Sequence, residues 1–192
     1  GWCGGIGIYL DGGSGHTVDN VRINARATGL DARNTTNLSL SRLTIDSAAT
    51  SGLTLTNLAL TAPTQLTLRD LTLTNNLTGL TLTNVSGTST SPYTFAPYAA
   101  LSDTGAITSL LGNTNGIVVA GSSYLRFQGL RIDGSTYGID AGTATTNTFL
   151  TFDGVDLSST GIGTGLYLTG ANHTVLDTTS NRRNIGLRAL TT

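Results

Sequence analysis

Short runs of alternating apolar and polar residues, separated by glycine-containing turns, recur along the whole chain. The segment 116–136, GIVVAGSSYLRFQGLRIDGST, shows the pattern in full, with three alternating runs and a turn after each. Successive side chains of a strand point to opposite faces, so every second residue of such a run faces the same way. The pattern therefore predicts short strands with one buried face.

The runs are organised by a repeat. Each unit opens with a glycine followed by Leu or Ile, and these anchors are Gly7, Gly29, Gly52, Gly79, Gly116, Gly138, Gly165 and Gly186. A regular period with length variation in the turns is typical of a solenoid, in which each unit buries its apolar stripe against the next. We predict an all-β fold: one right-handed parallel β-helix domain over residues 1–192, with about seven coils of roughly 22 residues and three short strands per coil.

One residue between the last two strands of each coil must turn the chain sharply. These residues are Asn20, Arg42, Asp70, Gly129 and Gly154. Asn, Asp and Gly tolerate the left-handed backbone region, so we predict a left-handed bend of one residue at each position. Arg42 is the exception in residue type.

The unit G-(L/I)-x-(L/V/A)-x-(N/G), then a turn, then L-x-(L/F)-x-(N/D/G)-(L/V)-x-(I/L), resembles the parallel β-helix repeat of pectate-lyase-like proteins, phage tailspikes and bacterial surface proteins. The resemblance covers nearly the whole chain and implies the fold. It implies no single activity, because that scaffold carries polysaccharide lyases, glycosidases, adhesins and inert fibres.

The longest interval between anchors predicts a loop insertion at about residues 85–115. It contains the aromatic residues Tyr93, Phe95 and Tyr98. Insertions on solenoids frequently form a binding face, so we treat the three rings as candidate binding residues. The alternative is that they fold back and cover an apolar patch.

Three asparagines, Asn34, Asn57 and Asn84, each lie five residues after an anchor glycine. Side chains at one coil position stack about 4.8 Å apart, so these amides are predicted to form a structural hydrogen-bonded ladder in a turn.

The best candidate for catalysis is a charged cluster on the first two coils. The repeat aligns Asp11 with Arg33 and Tyr9 with Asp31, and His16 lies in the nearby turn. Such a group on neighbouring strands is more often a surface ion pair. Polygalacturonase-type enzymes carry a paired-Asp motif and a Gly-His-Gly turn, whereas here Thr17 follows His16 and no Asp-Asp pair occurs. If the protein is an enzyme, it is a polysaccharide lyase or a glycoside hydrolase.

Composition and charge make several classes of partner unlikely targets for this chain. A net charge of −1 and a pI near 6.0 give no electrostatic signature for nucleic acid, and no apolar run is long enough to span a bilayer. His173 has no partner at metal-ligand spacing, so we expect neither a metal nor a cofactor. Low charge and abundant Thr, Asn and Gly favour an extracellular or cell-surface location.

The two ends of a β-helix are strand edges. Trp2 and Cys3 lie near the front, where Trp2 could plug the first coil and Cys3 is either a buried residue or an intermolecular link; Arg188 and Leu190 lie in the last coil. We predict a structural protein that stacks head to tail with copies of itself into a filament or surface array. The alternatives are a carbohydrate-binding or polysaccharide-degrading β-helix, and a piece of a larger surface protein.

Overall fold

A computed structural model describes residues 4–60, 62, 65–97, 107–143, 146–159 and 163–190. It confirms the predicted all-β fold, a parallel β-solenoid of about seven turns. Within the described residues the strands are β1 Ile6–Asp11, β2 Thr17–Asn24, β3 Thr28–Arg33, β4 Leu38–Asp46, β5 Ser51–Ala59, β6 Leu66–Thr74, β7 Thr78–Ser86, β8 Tyr93–Phe95, β9 Ile107–Ala120, β10 Leu125–Gln128, β11 Ile132–Ala141, β12 Asn147–Thr148, β13 Thr151–Asp153, β14 Thr164–Ala171, β15 Thr174–Leu176 and β16 Ile185–Leu190.

The first side of the solenoid is a parallel sheet in which each strand carries an anchor glycine. Its strands follow the order β1, β3, β5, β7, β9, β11, β14 and β16. Residues flanking the glycines pair in register; Ile8 pairs with Leu30, and Leu30 pairs with Leu53. This register places the eight anchors in a single file, which we call the glycine column.

The glycine column is required by the close approach of neighbouring coils. A Cβ on any of its first seven members, from Gly7 to Gly165, would lie 2.5–2.8 Å from the carbonyl oxygen of the next glycine. A strand interior accepts glycine where another backbone comes this close. The repeat that defines the fold in the sequence is thus a consequence of coil stacking.

The second and third predicted strands of a coil meet at a left-handed residue. In β2, β4 and β6 they are the two arms of one strand, bent at Asn20, Arg42 and Asp70 with φ of 55°, 48° and 52°. Gly129 and Gly154 have φ of 60° and 61° at the equivalent points. All five predicted bends are confirmed.

An ion pair between coils accompanies the arginine at the second bend. Arg42 Nε donates to Asp19 Oδ1 at 2.9 Å, and Arg42 Nη2 contacts Asp19 Oδ2. The Arg42 guanidinium, followed by the Ser41 hydroxyl, lowers the pKa of the Asp19 carboxyl to about 2. A side chain unusual for a left-handed position therefore has a charged partner that fixes its direction.

The core lies inside the coils and consists of columns of inward side chains. Leu and Ile fill it on the first side, where Leu30, Leu53 and Leu80 are fully buried. On the second side of the later coils, β8, β10, β13 and β15 form a separate sheet. Its inward column is an aromatic stack of Phe95, Phe127 and Phe152, with ring centroids 5.2 and 5.3 Å apart. That separation is close to the strand spacing, so the rings stack as the coils do.

Candidate functional site

Two residues of the predicted charged cluster, Asp31 and Arg33, form an ion pair. Tyr9 pairs with Asp31 and Asp11 with Arg33, as the repeat alignment indicated. Arg33 Nε donates to both Asp31 oxygens at 3.0 Å, and Arg33 Nη2 donates to Oδ2 at 2.6 Å. The Asp31 side chain is buried beneath this contact. The Arg33 guanidinium thus binds both oxygens of Asp31, which lies on the same strand and is the more buried of the two carboxylates.

The second carboxylate of the cluster is also engaged. Asp11 accepts hydrogen bonds from Asn34 Nδ2 at 2.8 Å and from the Tyr9 hydroxyl at 3.0 Å. These two bonds, the first of them the stronger influence, lower the pKa of the Asp11 carboxyl, and the bond to Asp11 raises the pKa of Tyr9. A carboxylate held ionised in this way is better suited to organising its neighbours than to protonating a substrate.

His16 contacts the backbone of the turn beside the cluster. Its Nε2 lies 2.8 Å from the Gly12 carbonyl oxygen, four residues earlier. The structure thus brings Asp11, Asp31 and Arg33 together, while the described contact of His16 belongs to the turn.

The predicted amides form a column of hydrogen bonds on the surface. Asn84 Nδ2 donates to Asn57 Oδ1 and Asn57 Nδ2 donates to Asn34 Oδ1, both at 3.0 Å. Asn34 in turn donates to Asp11. All three asparagines have left-handed φ, between 51° and 55°, and are exposed. The column of three asparagines and Asp11 therefore joins four successive coils from outside the core and ends in the charged cluster.

The binding role predicted for Tyr93 and Phe95 in the insertion is not supported by their position in the structure. Tyr93 and Phe95 are buried, and they pair through β8 with Leu125 and Phe127 of β10. The Tyr93 hydroxyl donates to the Leu66 carbonyl oxygen at 2.7 Å. The two rings lie inside the solenoid, because their alternation continues its second side, so they do not line a binding surface. Tyr98, Trp2 and Cys3 lie outside the described residues.

Buried amides that the sequence reasoning missed hold the turns between coils. Asn113 Oδ1 accepts from the Asn76 backbone N–H at 2.9 Å, and Asn76 Oδ1 accepts from the Ala48 N–H at 2.8 Å. Asn76 and Asn113 each lie three residues before an anchor glycine, and this spacing was the available signal. Asn147, the third buried amide of this kind, does not lie three residues before an anchor glycine.

The described residues include no helix long and apolar enough to cross a bilayer. In the same part of the chain, no group of three or more His, Cys, Asp or Glu side chains is placed to hold a metal ion.

The two faces at the ends of the solenoid are the other candidate site. We call the outer edges of β1 and β2 the N-terminal face and the outer edges of β15 and β16 the C-terminal face. In the described part of the chain each of these four strands has a sheet neighbour on one side only. Free backbone donors and acceptors along such an edge can pair with another strand.

Apolar side chains are exposed on both faces. At the N-terminal face a depression of about 440 Å³ is lined by Ile6, Ile8, Val21 and Ile23, together with polar neighbours. At the C-terminal face Leu187 is 53% exposed, whereas Leu166, its partner in the preceding coil, is 1% exposed. The inward columns thus end uncovered at the C-terminal face, whereas at the N-terminal face Ile8 and Val21 are half-buried and Ile23 is buried.

The last glycine of the column, Gly186, has different neighbours from the seven before it. A Cβ on Gly186 would have the Ser180 side chain as its nearest contact, at 3.8 Å. That is an ordinary van der Waals distance. Among the described residues, Gly186 therefore has space on the side where each earlier glycine meets the backbone of the following coil.

Comparison with known proteins gives no match to any family model, curated protein or solved structure. The function is accordingly inferred from the geometry of the chain itself.

Proposed function

We propose that the protein is a structural subunit that associates end to end, with β1 of one copy adding to β16 of another. The proposal includes an extracellular or cell-surface location and assembly into a filament or surface array. The observation that carries it is the free space at Gly186.

Nothing in the described residues requires glycine at position 186. In a strand interior glycine costs about 0.5–1 kcal/mol relative to alanine, and the space at Gly186 would admit a methyl group. At the seven other positions of the column, glycine accommodates the backbone of the next coil. A strand with its own glycine at the same point would fit Gly186 in the same way, and β1 supplies Gly7.

This register also matches the neighbouring side chains. Setting Gly7 of a second copy over Gly186 brings its Ile8 over Leu187 and its Tyr9 over Arg188. The Arg188 guanidinium already lies 5.0 Å from the centre of the Tyr167 ring. The Tyr9 ring of the second copy would cover the other face of that guanidinium, which is a favourable cation–π arrangement.

The proposed contact is small. Strand β16 is the first strand of its coil. In this register a gap one strand wide would therefore lie between the two copies on the second and third sides of the solenoid. A contact through one sheet belongs to the interfaces below about 1,200 Å², which are weak and transient. The contact is also heterologous, so each copy can bind another at both ends and the chain of copies stays open.

Membership of the pectate-lyase-like superfamily is part of the same proposal. Parallel coils with a single left-handed residue between their second and third strands support it. The superfamily carries many functions, so its name adds no activity.

The substitution Gly186→Ala tests the proposed association. The sedimentation coefficient of the wild-type protein should rise with concentration, whereas Gly186→Ala should remain monomeric because the methyl group would meet the Gly7 carbonyl of the second copy. Its melting temperature should be unchanged or slightly raised, since a single copy has room for the methyl group.

Gly4→Ala is the matched control, because a Cβ at Gly4 has no heavy atom within 4 Å and the residue lies outside the paired register. It should associate like the wild type. Association of Gly186→Ala at wild-type strength, or a wild-type protein that stays monomeric at its highest soluble concentration, would contradict the proposal.

A further inference from the structure

A depression of about 270 Å³ spans three successive coils near the end of their third sides. Each coil contributes two lining residues, which are Arg131 and Asp133, Ser158 and Ser159, and Asn181 and Arg182. Arg131 pairs with Asp156, and Asp156 pairs with Thr179, so the stacking of the coils sets the wall of the depression. None of the lining residues belongs to β15 or β16, whose outer edges form the C-terminal face.

The depression is lined mainly by groups that donate hydrogen bonds. Arg131 and Arg182 are exposed, and within the described residues neither guanidinium has a hydrogen-bond or salt-bridge partner. Ser158 Oγ accepts from the Asn181 backbone N–H at 3.1 Å, which leaves its hydroxyl proton free to be donated. Elsewhere on the solenoid three arginines form salt bridges with aspartates. The donors of the depression are therefore without an acceptor from the chain.

A third arginine beside the depression has an unmet donor. Arg183 reaches back across two coils, where its Nε donates to the Leu157 carbonyl oxygen at 2.9 Å and its Nη1 contacts the Gly134 carbonyl oxygen. Its Nη2 is buried and has no hydrogen-bond partner. Burial lowers the pKa of Arg183, and the charge of Asp133 opposes this effect. A half-buried cation with a free donor is stabilised by an anion nearby.

The two carboxylates of this region already accept hydrogen bonds. Asp133 Oδ1 accepts from the Ser159 hydroxyl, and Asp156 Oδ1 accepts from the Ser158 backbone N–H at 2.9 Å. Arg131 acts on Asp156 through its charge, without a salt bridge. Three arginines and two aspartates give the region a net charge of +1, whereas the whole chain carries −1. The region is thus locally positive on a slightly acidic protein.

We propose that this depression binds a tetrahedral oxyanion, the phosphate or sulfate group of an ester. Guanidinium groups are the preferred protein partners of such anions. The donors belong to three coils and approach from different directions, which suits an anion with several oxygen atoms better than a planar carboxylate. The volume of the depression also leaves room for the group to which the oxyanion is attached. The site uses no residue of β1 or β16 and is separate from the end-to-end association.

A nuclear magnetic resonance titration of the ¹⁵N-labelled full chain tests the proposal. Glucose 6-phosphate and glucose 6-sulfate should each shift the amide signals of Ser158 and Asn181 in a saturable manner. Sodium acetate at the same ionic strength should bind about tenfold more weakly, because a carboxylate loses at least one charge-assisted hydrogen bond. If only one ester binds, the proposal is supported and the source of the oxyanion is identified.

Two substitutions remove donors from opposite walls of the depression. Arg131→Gln and Arg182→Gln should each weaken binding of the ester about tenfold, the effect of losing one charge-assisted hydrogen bond. Both side chains are exposed, so both variants should fold, and the spectrum without ligand records this. Arg26→Gln is the matched control, because it removes the same charge from an exposed arginine of the first coil. It should bind like the wild type.

Absence of saturable shifts at Ser158 and Asn181 would overturn the proposal. Acetate binding as tight as that of the esters would do the same, as would wild-type affinity in a folded Arg131→Gln or Arg182→Gln protein. A wild-type protein that binds an ester but stays monomeric would reject only the end-to-end association. Association without ester binding would reject only this inference.

Discussion

Replacing Gly116 with alanine should lower the free energy of unfolding by about 3 kcal/mol, the upper end of what an overpacked core costs. A Cβ at this position would lie 2.1 Å from Ile132 Cγ2 and 2.5 Å from the Gly138 carbonyl oxygen. Ile132 is fully buried, and the Gly138 carbonyl belongs to the strand that pairs with β9. Neither neighbour can move without disturbing the next coil.

Urea unfolding followed by circular dichroism measures this loss, and Gly186→Ala is its matched control. Both substitutions add one methyl group in the same column, so their effects on the unfolded chain are alike. The control should raise the free energy of unfolding by up to about 1 kcal/mol, which is the cost of glycine in a strand interior. Equal effects of the two substitutions would show that coil stacking does not explain the glycine column.

Asn147→Ala should lower the free energy of unfolding by about 4 kcal/mol. Asn147 is fully buried, donates to the Val119 and Ala141 carbonyl oxygens at 2.9 Å and accepts from the Ser122 N–H at 2.9 Å. The substitution removes one hydrogen bond from each of three buried backbone groups, and leaving such a group unsatisfied costs about 1–3 kcal/mol. The loss falls on the turns that join successive coils.

The control for this prediction is Asn24→Ala. Asn24 is exposed and accepts one long hydrogen bond, at 3.4 Å from Arg22 Nε, so its removal should cost less than about 0.5 kcal/mol. Hydrogen exchange at the Ser122 amide should accelerate in Asn147→Ala and not in the control. A similar small loss for both variants would show that the buried amide does not stabilise the turn.

Much of the fold could be predicted from the sequence because coil stacking leaves a local mark. The close backbone contact requires glycine once per coil, and the sharp bend selects residues that tolerate left-handed φ, so both features recur at visible intervals. The alignment of Tyr9 with Asp31 followed from that period alone.

The remaining features depend on contacts that the period does not encode. The interval from Gly79 to Gly116 indicated an insertion, yet Tyr93 and Phe95 lie in the core, because three alternating residues are enough to continue a side of the coil. Asn147 could not be distinguished from the many exposed asparagines, because its role depends on which carbonyl groups the folded turn brings near it.

A disulfide trap tests the end-to-end association most directly. With Cys3→Ser removing the native thiol, Tyr9→Cys and Arg188→Cys are introduced into one chain. These positions lie seven coils apart, roughly 34 Å at the usual strand spacing, so a bond between them must join two copies. On mild oxidation the account predicts a ladder of disulfide-linked oligomers on a non-reducing gel, and no ladder when Asp11→Cys replaces Tyr9→Cys and shifts the pair by two residues. A registered pair that gives no more oligomer than the shifted pair would contradict it.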